Sequence, residues 1–469
     1  MTAKWSRIVV LVTVVLAGIG TGNTAAAETV ATREFEDETW TENWVDLRST
    51  DLVRATLTNV GFAGNGLQVK IPEGAFRGFG PFDRLGTPTP TKAWYRYHIR
   101  LLSWNSASEG KLPGLSGLYS SSGRGCIRST PSRPGWSARG LFGTVGTQGV
   151  PQGNVPIGTY LYHVDQPGDC GEELFWPGAS LEPGRWHCIE GHVSLNTRGS
   201  SNGRFDGWLD GEQRFSRTGI TYRLENESHV GIRDMWHNIY FGGSWPTPNP
   251  LSLIIDQVVV STDGRVGCLD PFTDDNASLH VKALTELHAR GLLLGCGYRT
   301  VCPDRHMTRG EVAAIFARVL SLPATTRDFF NDDEGHLFEN AANKLAASGI
   351  TVGCGSGAYC PDRNLTRAEF ATMTVRAMGL PAAGVNSPFA DDNGHWGESA
   401  ITTFANAGLT EGCGSNRFCP NRTLTREEAA SFFLRVADRL EPLGLASVEP
   451  PPDWPPPGDP PPIPPEEQD

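Results

Sequence analysis

The chain has 469 residues and a formal net charge of −12, which indicates more than one domain and an acidic protein. Basic stripes are absent, so nucleic-acid binding is not expected. A Gly-rich phosphate loop and a Gly-x-Ser-x-Gly motif are also missing, so neither nucleotide-dependent nor serine-hydrolase chemistry is indicated.

Residues 1–27 are typical of a secretory signal peptide. Lys4 and Arg7 provide the positive start, Ile8–Gly20 the apolar core and Ala25–Ala27 a small-residue cleavage site. That core is too short for a stable membrane anchor, and no later stretch approaches the roughly 18 apolar residues that a membrane helix needs. We therefore expect an exported protein with no membrane span after signal removal.

Residues 28–267 are rich in Gly, Trp and Thr and contain many short alternating segments. Trp94–Arg100 is an example, with Tyr95, Tyr97 and Ile99 on one face and Arg96, His98 and Arg100 on the other. Asp210-Gly211 is a hairpin signal, and Leu253–Val260 is typical of a buried strand. This pattern predicts an all-β sandwich of the jelly-roll kind.

Three short motifs within this region could act together: Lys111–Gly114, Trp136–Arg139 and Tyr160–Tyr162. Because strand side chains alternate between faces, Ser137 shares a face with Arg139, and Tyr160 shares a face with Tyr162. If the strands are neighbours, two cations, a hydroxyl and two phenols converge, with Lys111 reaching the patch from a turn at Pro113-Gly114. Cations and phenols without paired carboxylates suit an anionic substrate that must lose an acidic C–H proton.

From about Phe35 to Ser261 the chain resembles the family-14 polysaccharide lyases, which degrade alginate and related glucuronate polymers. The resemblance rests on the three motifs in order and on framework runs at Trp208–Gly211, Phe241–Gly243 and Ile255–Val258. It implies a polyuronate lyase that needs no cofactor or metal. The implied catalytic residues are Lys111, Arg139, Tyr160 and Tyr162, and the implied substrate-binding residues are Ser137, Arg96 and His98.

β-Elimination requires that the uronate carboxylate is neutralised, the C5 proton removed and the leaving oxygen protonated. Arg139 and Lys111 suit the first task, and the phenols suit the proton transfers if adjacent positive charge lowers their pKa. Which tyrosine is the base stays open, and so does Lys111 as the base.

Two other functions remain open from the sequence. A non-catalytic glycan-binding sandwich would share the fold. A glycoside hydrolase would need two carboxylates at a defined separation, for which Glu172, Glu173 and Glu190 are candidates.

A threefold repeat begins at Cys268, and its units are assigned to 268–325, 326–384 and 385–441. Phe-x-Asp-Asp runs start at residues 272, 330 and 389, which are 58 and then 59 positions apart. The sequence pattern of each unit predicts a helix, a Gly-Cys loop and a second helix, so this half is expected to be all-α. Thr-Arg-x-Glu runs supply a capping box for the second helix and leave one arginine per unit without a local role: Arg309, Arg367 and Arg426.

The repeats resemble S-layer homology modules, which hold exported bacterial proteins on anionic cell-wall polysaccharide. The resemblance implies that the three motif arginines contribute to the polymer pocket. An aromatic residue expected in the first helix is Trp396 in the third unit but Leu279 and Leu337 in the others. Most of the negative charge lies in this half, so wall binding must come from local pockets. The resemblance places the protein outside the cell, attached to the wall or S-layer.

Ten cysteines in an exported chain indicate disulfides. Six form Cys-x5-Cys pairs at matching points of the repeat: Cys296 and Cys302, Cys354 and Cys360, Cys413 and Cys419. The other four allow three connectivities, of which we favour Cys126–Cys170 with Cys188–Cys268. Residues 442–469 are rich in proline and predict an extended, disordered tail.

Overall fold

The computed structural model describes residues 29–440 except 118–124, 128–129, 131–133, 228 and 243–245. The signal segment through residue 28 and the Pro-rich tail lie outside the described residues. None of the helices in the described part is long and apolar enough to cross a membrane.

The N-terminal half is a sandwich of two antiparallel sheets. Sheet A has the strand order β13-β12-β11-β6-β16-β3-β2, with β1 also paired to β16. Sheet B has the order β10-β9-β8-β7-β14-β5, with β15 joining β7 to β4. The described strands are β1 (Thr29–Arg33), β2 (Ala55–Thr58), β3 (Gly66–Ile71), β4 (Arg77–Phe79), β5 (Phe82–Arg84), β6 (Lys92–Ser103), β7 (Gly110–Gly117), β8 (Trp136–Phe142), β9 (Val155–Tyr162), β10 (Glu172–Leu181), β11 (Trp186–Ser194), β12 (Gly203–Leu209), β13 (Glu212–Ile220), β14 (Asp234–Trp236), β15 (Ile239–Phe241) and β16 (Leu251–Ser261).

One large apolar core lies between the sheets, and the alternation of the sequence decides what enters it. Tyr95, Tyr97 and Ile99 of β6 are buried in this core, as their shared face predicts. Asp210 and Gly211 adopt positive φ angles of 51° and 83° between β12 and β13, which confirms the predicted hairpin. The antiparallel sandwich is therefore confirmed, whereas the jelly-roll topology stays a prediction.

The C-terminal half is helical, and each repeat contributes a pair of helices. Thr308 and Thr366 cap α3 and α5 through capping boxes with Glu311 and Glu369. The first helix of each repeat packs on the second helix of another, with α2 against α7, α4 against α3 and α6 against α5, so the three units close into a ring. A short α1 (Ser49–Arg54) belongs to the sandwich, and the repeat helices are α2 (Val281–Ala289), α3 (Arg309–Val319), α4 (Glu339–Ala347), α5 (Arg367–Ala377), α6 (Glu398–Asn406) and α7 (Arg426–Leu440).

The first repeat packs against the outer face of sheet A along a surface that we call the seam. His98 of β6 stacks on Phe62 with ring centroids 3.7 Å apart, and His288 of α2 meets Phe62 edge-on at 5.2 Å. Arg185 donates to both carboxylate oxygens of Glu286 in α2, at 2.7 and 2.9 Å. The two halves are thus joined by buried contacts.

All five disulfides of the structure follow the pairings favoured from the sequence. Three close the Cys-x5-Cys loops of the repeats. Cys126 pairs with Cys170, and Cys188 of β11 pairs with Cys268 at the start of the repeats.

Candidate active site

The predicted catalytic side chains converge on the outer face of sheet B. Strands β7, β8 and β9 are neighbours, and Arg139 lies opposite Tyr160 on one side and Gly114 on the other. Ser137 lies opposite Tyr162 and Ser116 in the same way. The convergence expected from the motif spacing is therefore present.

The core fixes which face these residues occupy. Trp136, Ala138 and Leu161 alternate with them along β8 and β9 and are fully buried between the sheets. A slip by one residue would move those apolar side chains out of the core, so the register is strongly specified. The motif residues consequently point away from the core.

Lys111 reaches the cluster from within a strand, and the predicted turn at Pro113-Gly114 is wrong. Both residues lie inside β7, where the register with β8 shifts between Leu112 and Gly114. This irregularity re-aims the strand without reversing it, as a β-bulge does. Lys111 Nζ lies 4.4 Å from the centre of the Tyr160 ring and donates to the carbonyl of Gly242 at 3.2 Å.

The surroundings of Lys111 favour its neutral form. Burial lowers the pKa of Lys111 to about 8, and the neighbouring Arg139 guanidinium acts in the same direction. Two carboxylates, Glu173 and Glu109, oppose this shift. A lysine with such a pKa can act as a base near neutral pH.

Arg139 is held by two residues that the motifs did not single out. Its Nη1 donates to Asn238 Oδ1 at 2.9 Å, and its guanidinium carbon lies 4.5 Å from the centre of the Trp236 ring. Trp236 ends β14, which pairs with β7 opposite Gly114. A sequence pattern could not find these residues, because β14 is short and reaches the site only through sheet pairing.

The two tyrosines have different surroundings. Burial raises the pKa of Tyr160 well above its usual range, and the neighbouring Tyr162 and the hydrogen bond between the phenols add to this, although Arg139 opposes it. Tyr162 accepts a hydrogen bond from the backbone amide of Cys126 at 2.9 Å. The Cys126–Cys170 disulfide ties that amide to the start of β10. Tyr160 is therefore suited to stay protonated until it donates.

The three glutamates considered for a hydrolase are separated by the structure. Glu173 lies opposite Tyr160 at the edge of the cluster. Glu172 points to the other face of β10 and binds Arg217 at 2.8 Å. Glu190 of sheet A binds Arg265 at 2.5 Å. No two of these three carboxylates face each other across the cluster, so the candidates from the sequence do not supply the pair that a hydrolase needs.

Arg96 and His98, expected to bind substrate, lie far from the cluster in the sandwich. Both are on the outer face of sheet A, where Arg96 donates to the carbonyls of Gln257 and Gly267. His98 is 1% exposed beneath Phe62. Their face of β6 is the seam face, so the structure does not bring these two residues into the site.

The motif arginines of the repeats are buried between repeats. Arg309 Nε donates to the Tyr359 carbonyl at 2.8 Å, and its Nη1 binds Glu369 of the second repeat at 3.0 Å. Arg367 donates to Phe418 in the third repeat, and Arg426 closes the ring by donating to Val301 in the first. These contacts give the three arginines a structural role between repeats, and their contribution to a polymer pocket stays a prediction.

Trp396 is 66% exposed, and Leu279 and Leu337 are exposed at the matching positions. These residues come two positions before α6, α2 and α4, so the expectation that they lie in the first helix is wrong. They form an exposed apolar position in every repeat.

Two family models match the chain. Residues 86–254 match polysaccharide lyase 14, and residues 329–371 and 388–430 match the S-layer homology domain. The chain carries a polysaccharide lyase 14 domain followed by S-layer homology domains. The described cluster lies within the lyase domain, and the two S-layer homology matches lie in the second and third repeats.

Relatives share only part of this chain. An S-layer protein of Bacillus licheniformis is 29% identical over 149 residues, which cover 31% of this chain and 17% of that protein. A cellulosome-anchoring protein of Acetivibrio thermocellus is 30% identical over 148 residues, covering 29% of this chain and 33% of that protein. The chain thus spans less than half of the length of these curated relatives.

Solved structures similar to the lyase domain include two alginate lyases. The marine PL-14 enzyme from Aplysia kurodai is 19% identical and covers 50% of this chain and 99% of its own, with a TM-score of 0.40. The alginate lyase vAL-1 from Chlorella virus is 15% identical, with the same two coverages and the same TM-score.

Proposed function

We propose that the protein is exported and cleaves a polyuronate of the alginate or glucuronan type by β-elimination while its repeats hold it on the bacterial cell wall or S-layer. The observation that carries the lyase function is the cluster on sheet B, where a lysine with a lowered pKa and a phenol with a raised pKa adjoin one arginine.

Arg139 binds the uronate carboxylate and stabilises the negative charge that develops on it as the C5 proton leaves. Asn238 and Trp236 hold the guanidinium in place, so it needs no reorganisation during the reaction. Ser137 positions the sugar by hydrogen bonding.

Lys111 in its neutral form takes the C5 proton. The electrons of the C5–H bond form the C4=C5 double bond, and the C4–O bond breaks. Tyr160 gives its proton to the leaving oxygen, and Tyr162 positions Tyr160 through their hydrogen bond. The products are a new chain end and an unsaturated uronate.

A substrate panel tests this function. The full chain is incubated with polymannuronate, polyguluronate and glucuronan, and the absorbance of the unsaturated product is followed. We expect a rise with at least one polymer and a loss of about 100-fold or more in Lys111→Ala and Tyr160→Phe. Binding of polymer without any unsaturated product would instead identify a glycan-binding sandwich.

Wall attachment is tested by sedimentation of the full chain with purified cell walls. Trp396→Ala should reduce the bound fraction, because this exposed ring is available to a polymer. Val352→Ala is the matched control. Val352 is 79% exposed but does not occupy the position that Leu279, Leu337 and Trp396 share in the three repeats. Equal binding by all three proteins would refute a role for Trp396.

A further inference from the structure

A pair of acidic side chains recurs in the first two repeats but not in the third. Asp270 precedes Asp275 by five positions, and Asp328 precedes Asp333 by the same spacing. The matching pair in the third repeat is Ser387 and Asp392.

The third repeat shows which hydrogen bonds the first residue of the pair forms. Ser387 Oγ donates to Asp392 Oδ2 at 2.6 Å and accepts the backbone amide of Phe389 at 3.2 Å. In the first repeat, Asp270 Oδ1 accepts the equivalent amide of Phe272, also at 3.2 Å. A carboxylate oxygen therefore takes the place of the serine hydroxyl, and an ionised carboxylate has no proton to donate.

The second repeat has the same arrangement. Asp328 Oδ1 accepts the Phe330 amide at 3.4 Å and the side-chain amide of Asn343 at 3.3 Å. In the described part of this repeat, no side chain donates to Asp333 as Ser387 donates to Asp392.

The second aspartate of each pair is buried and has no partner in another residue. Asp275 and Asp333 are 0% and 1% exposed, and within the described residues none of their four carboxylate oxygens accepts a hydrogen bond from a residue other than the aspartate itself. Within the described residues neither of them forms an ion pair. Burial raises the pKa of both carboxyls, and Asp270 and Asp328 contribute by repulsion. An unpaired buried carboxylate is costly, so this arrangement calls for a positive partner.

The preceding aspartates, Asp274 and Asp332, cannot relieve this cost. Asp274 accepts the amides of Val301 and Cys302, both at 2.8 Å. Asp332 accepts the two equivalent amides in the second repeat. Their carboxylates are held by the Cys-x5-Cys loops.

We propose that the Asp270/Asp275 pair and the Asp328/Asp333 pair each bind a calcium ion. Calcium prefers carboxylate oxygens and tolerates irregular geometry. A proton between the carboxyls would satisfy one oxygen, whereas a divalent ion coordinated by both oxygens of Asp275 neutralises the pair. Because ligand charge tunes calcium affinity and each pair supplies only two carboxylates, we expect binding in the weakest class of protein calcium sites, about 10⁻⁴–10⁻³ M.

The third repeat supplies the matched variants. Asp270→Ser with Asp328→Ser copies its chemistry into the first two repeats, and Ser387→Asp copies theirs into the third. The full chain is treated with a chelator and titrated with CaCl2 at pH 7 by calorimetry. Its melting temperature is measured with and without 5 mM CaCl2, which is about 50-fold above the tighter limit of the expected affinity range and about fivefold above the weaker limit.

The wild type should bind two more calcium ions per chain than the double serine variant, and Ser387→Asp should bind one more than the wild type. Calcium should raise the melting temperature of the wild type by about 3 °C and leave the double serine variant unchanged. Equal stoichiometry in the wild type and the double serine variant would overturn the proposal. A wild-type melting temperature that falls with rising pH and ignores calcium would overturn it too, by identifying a shared proton.

Discussion

The pKa of Lys111 makes a quantitative prediction for the pH dependence of the reaction. With a pKa of about 8, about 9% of Lys111 is neutral at pH 7, about half at pH 8 and about 90% at pH 9. An ordinary lysine with a pKa of 10.5 would be about 0.03% neutral at pH 7. The lowered pKa thus increases the amount of base roughly 300-fold at neutral pH.

The assay is the initial rate of absorbance increase at low substrate, because kcat/KM reports the free enzyme. We expect kcat/KM to rise about fivefold from pH 7 to pH 8, less than twofold from pH 8 to pH 9, and then to level off. kcat/KM rises with pH because the base is the deprotonated form of Lys111. A tenfold rise per pH unit up to pH 10, or a flat profile between pH 6 and pH 8, would refute Lys111 as the base.

Glu173→Gln provides a matched variant for this profile. The Glu173 carboxylate raises the pKa of Lys111, so its removal should shift the rising limb to lower pH. The shift should be about a few tenths of a pH unit, since Glu173 is partly solvated. A shift to higher pH would contradict the electrostatic reasoning.

Three further predictions concern the site, the seam and the disulfides. Arg139→Lys should lower kcat/KM by about 100-fold, although it keeps the charge, because it loses the planar fork that Asn238 and Trp236 hold. Phe62→Ala should lower the unfolding free energy of the full chain by about 3–5 kcal/mol, because the ring packs between two histidines and Trp186. Mass analysis of the native, alkylated protein should find no free thiol among the six repeat cysteines.

Each of these has its own control. The melting temperature of Arg139→Lys should equal that of the wild type, which shows that the variant is folded. Full activity in this variant would refute the need for the planar guanidinium. Glu286→Gln is the control for Phe62→Ala, since its partly exposed ion pairs with Arg185 and Arg290 should contribute less than the buried ring. An equal loss of unfolding free energy in Phe62→Ala and Glu286→Gln would contradict the importance of aromatic packing at the seam. Alkylation of a repeat cysteine in the native protein would refute the disulfide to which that cysteine is assigned.

The sequence predicted the cluster well because alternation along β8 and β9 fixes the faces of Ser137, Arg139, Tyr160 and Tyr162. The position of Lys111 was predicted for the wrong reason, because Pro113-Gly114 has the composition of a turn but lies in an irregular strand. Proline has no backbone N–H to donate to a neighbouring strand, so it is tolerated where the regular ladder of hydrogen bonds is already interrupted.

Arg96 and His98 were misplaced because alternation assigns a face but not the sheet to which a strand belongs. The seam was also invisible to the sequence, since Phe62 and His288 are joined only by packing between distant segments. Repeat spacing predicted the helix pairs and the cysteine pairs, but it could not show that the motif arginines bind across repeats. Pairing across 50 residues or more depends on how the repeats pack on one another, which local patterns do not encode.

The seam and the Cys188–Cys268 bond also determine how a tethered catalyst would move. The first repeat lies on the outer face of sheet A, whereas the cluster lies on the outer face of sheet B, at the opposite side of the sandwich. A covalent link from β11 to the first repeat leaves no long flexible segment between catalyst and anchor. If the repeats are fixed to a wall, the cluster is held at a constant distance from that attachment, whereas a catalytic domain on a long linker would sweep a volume around its anchor.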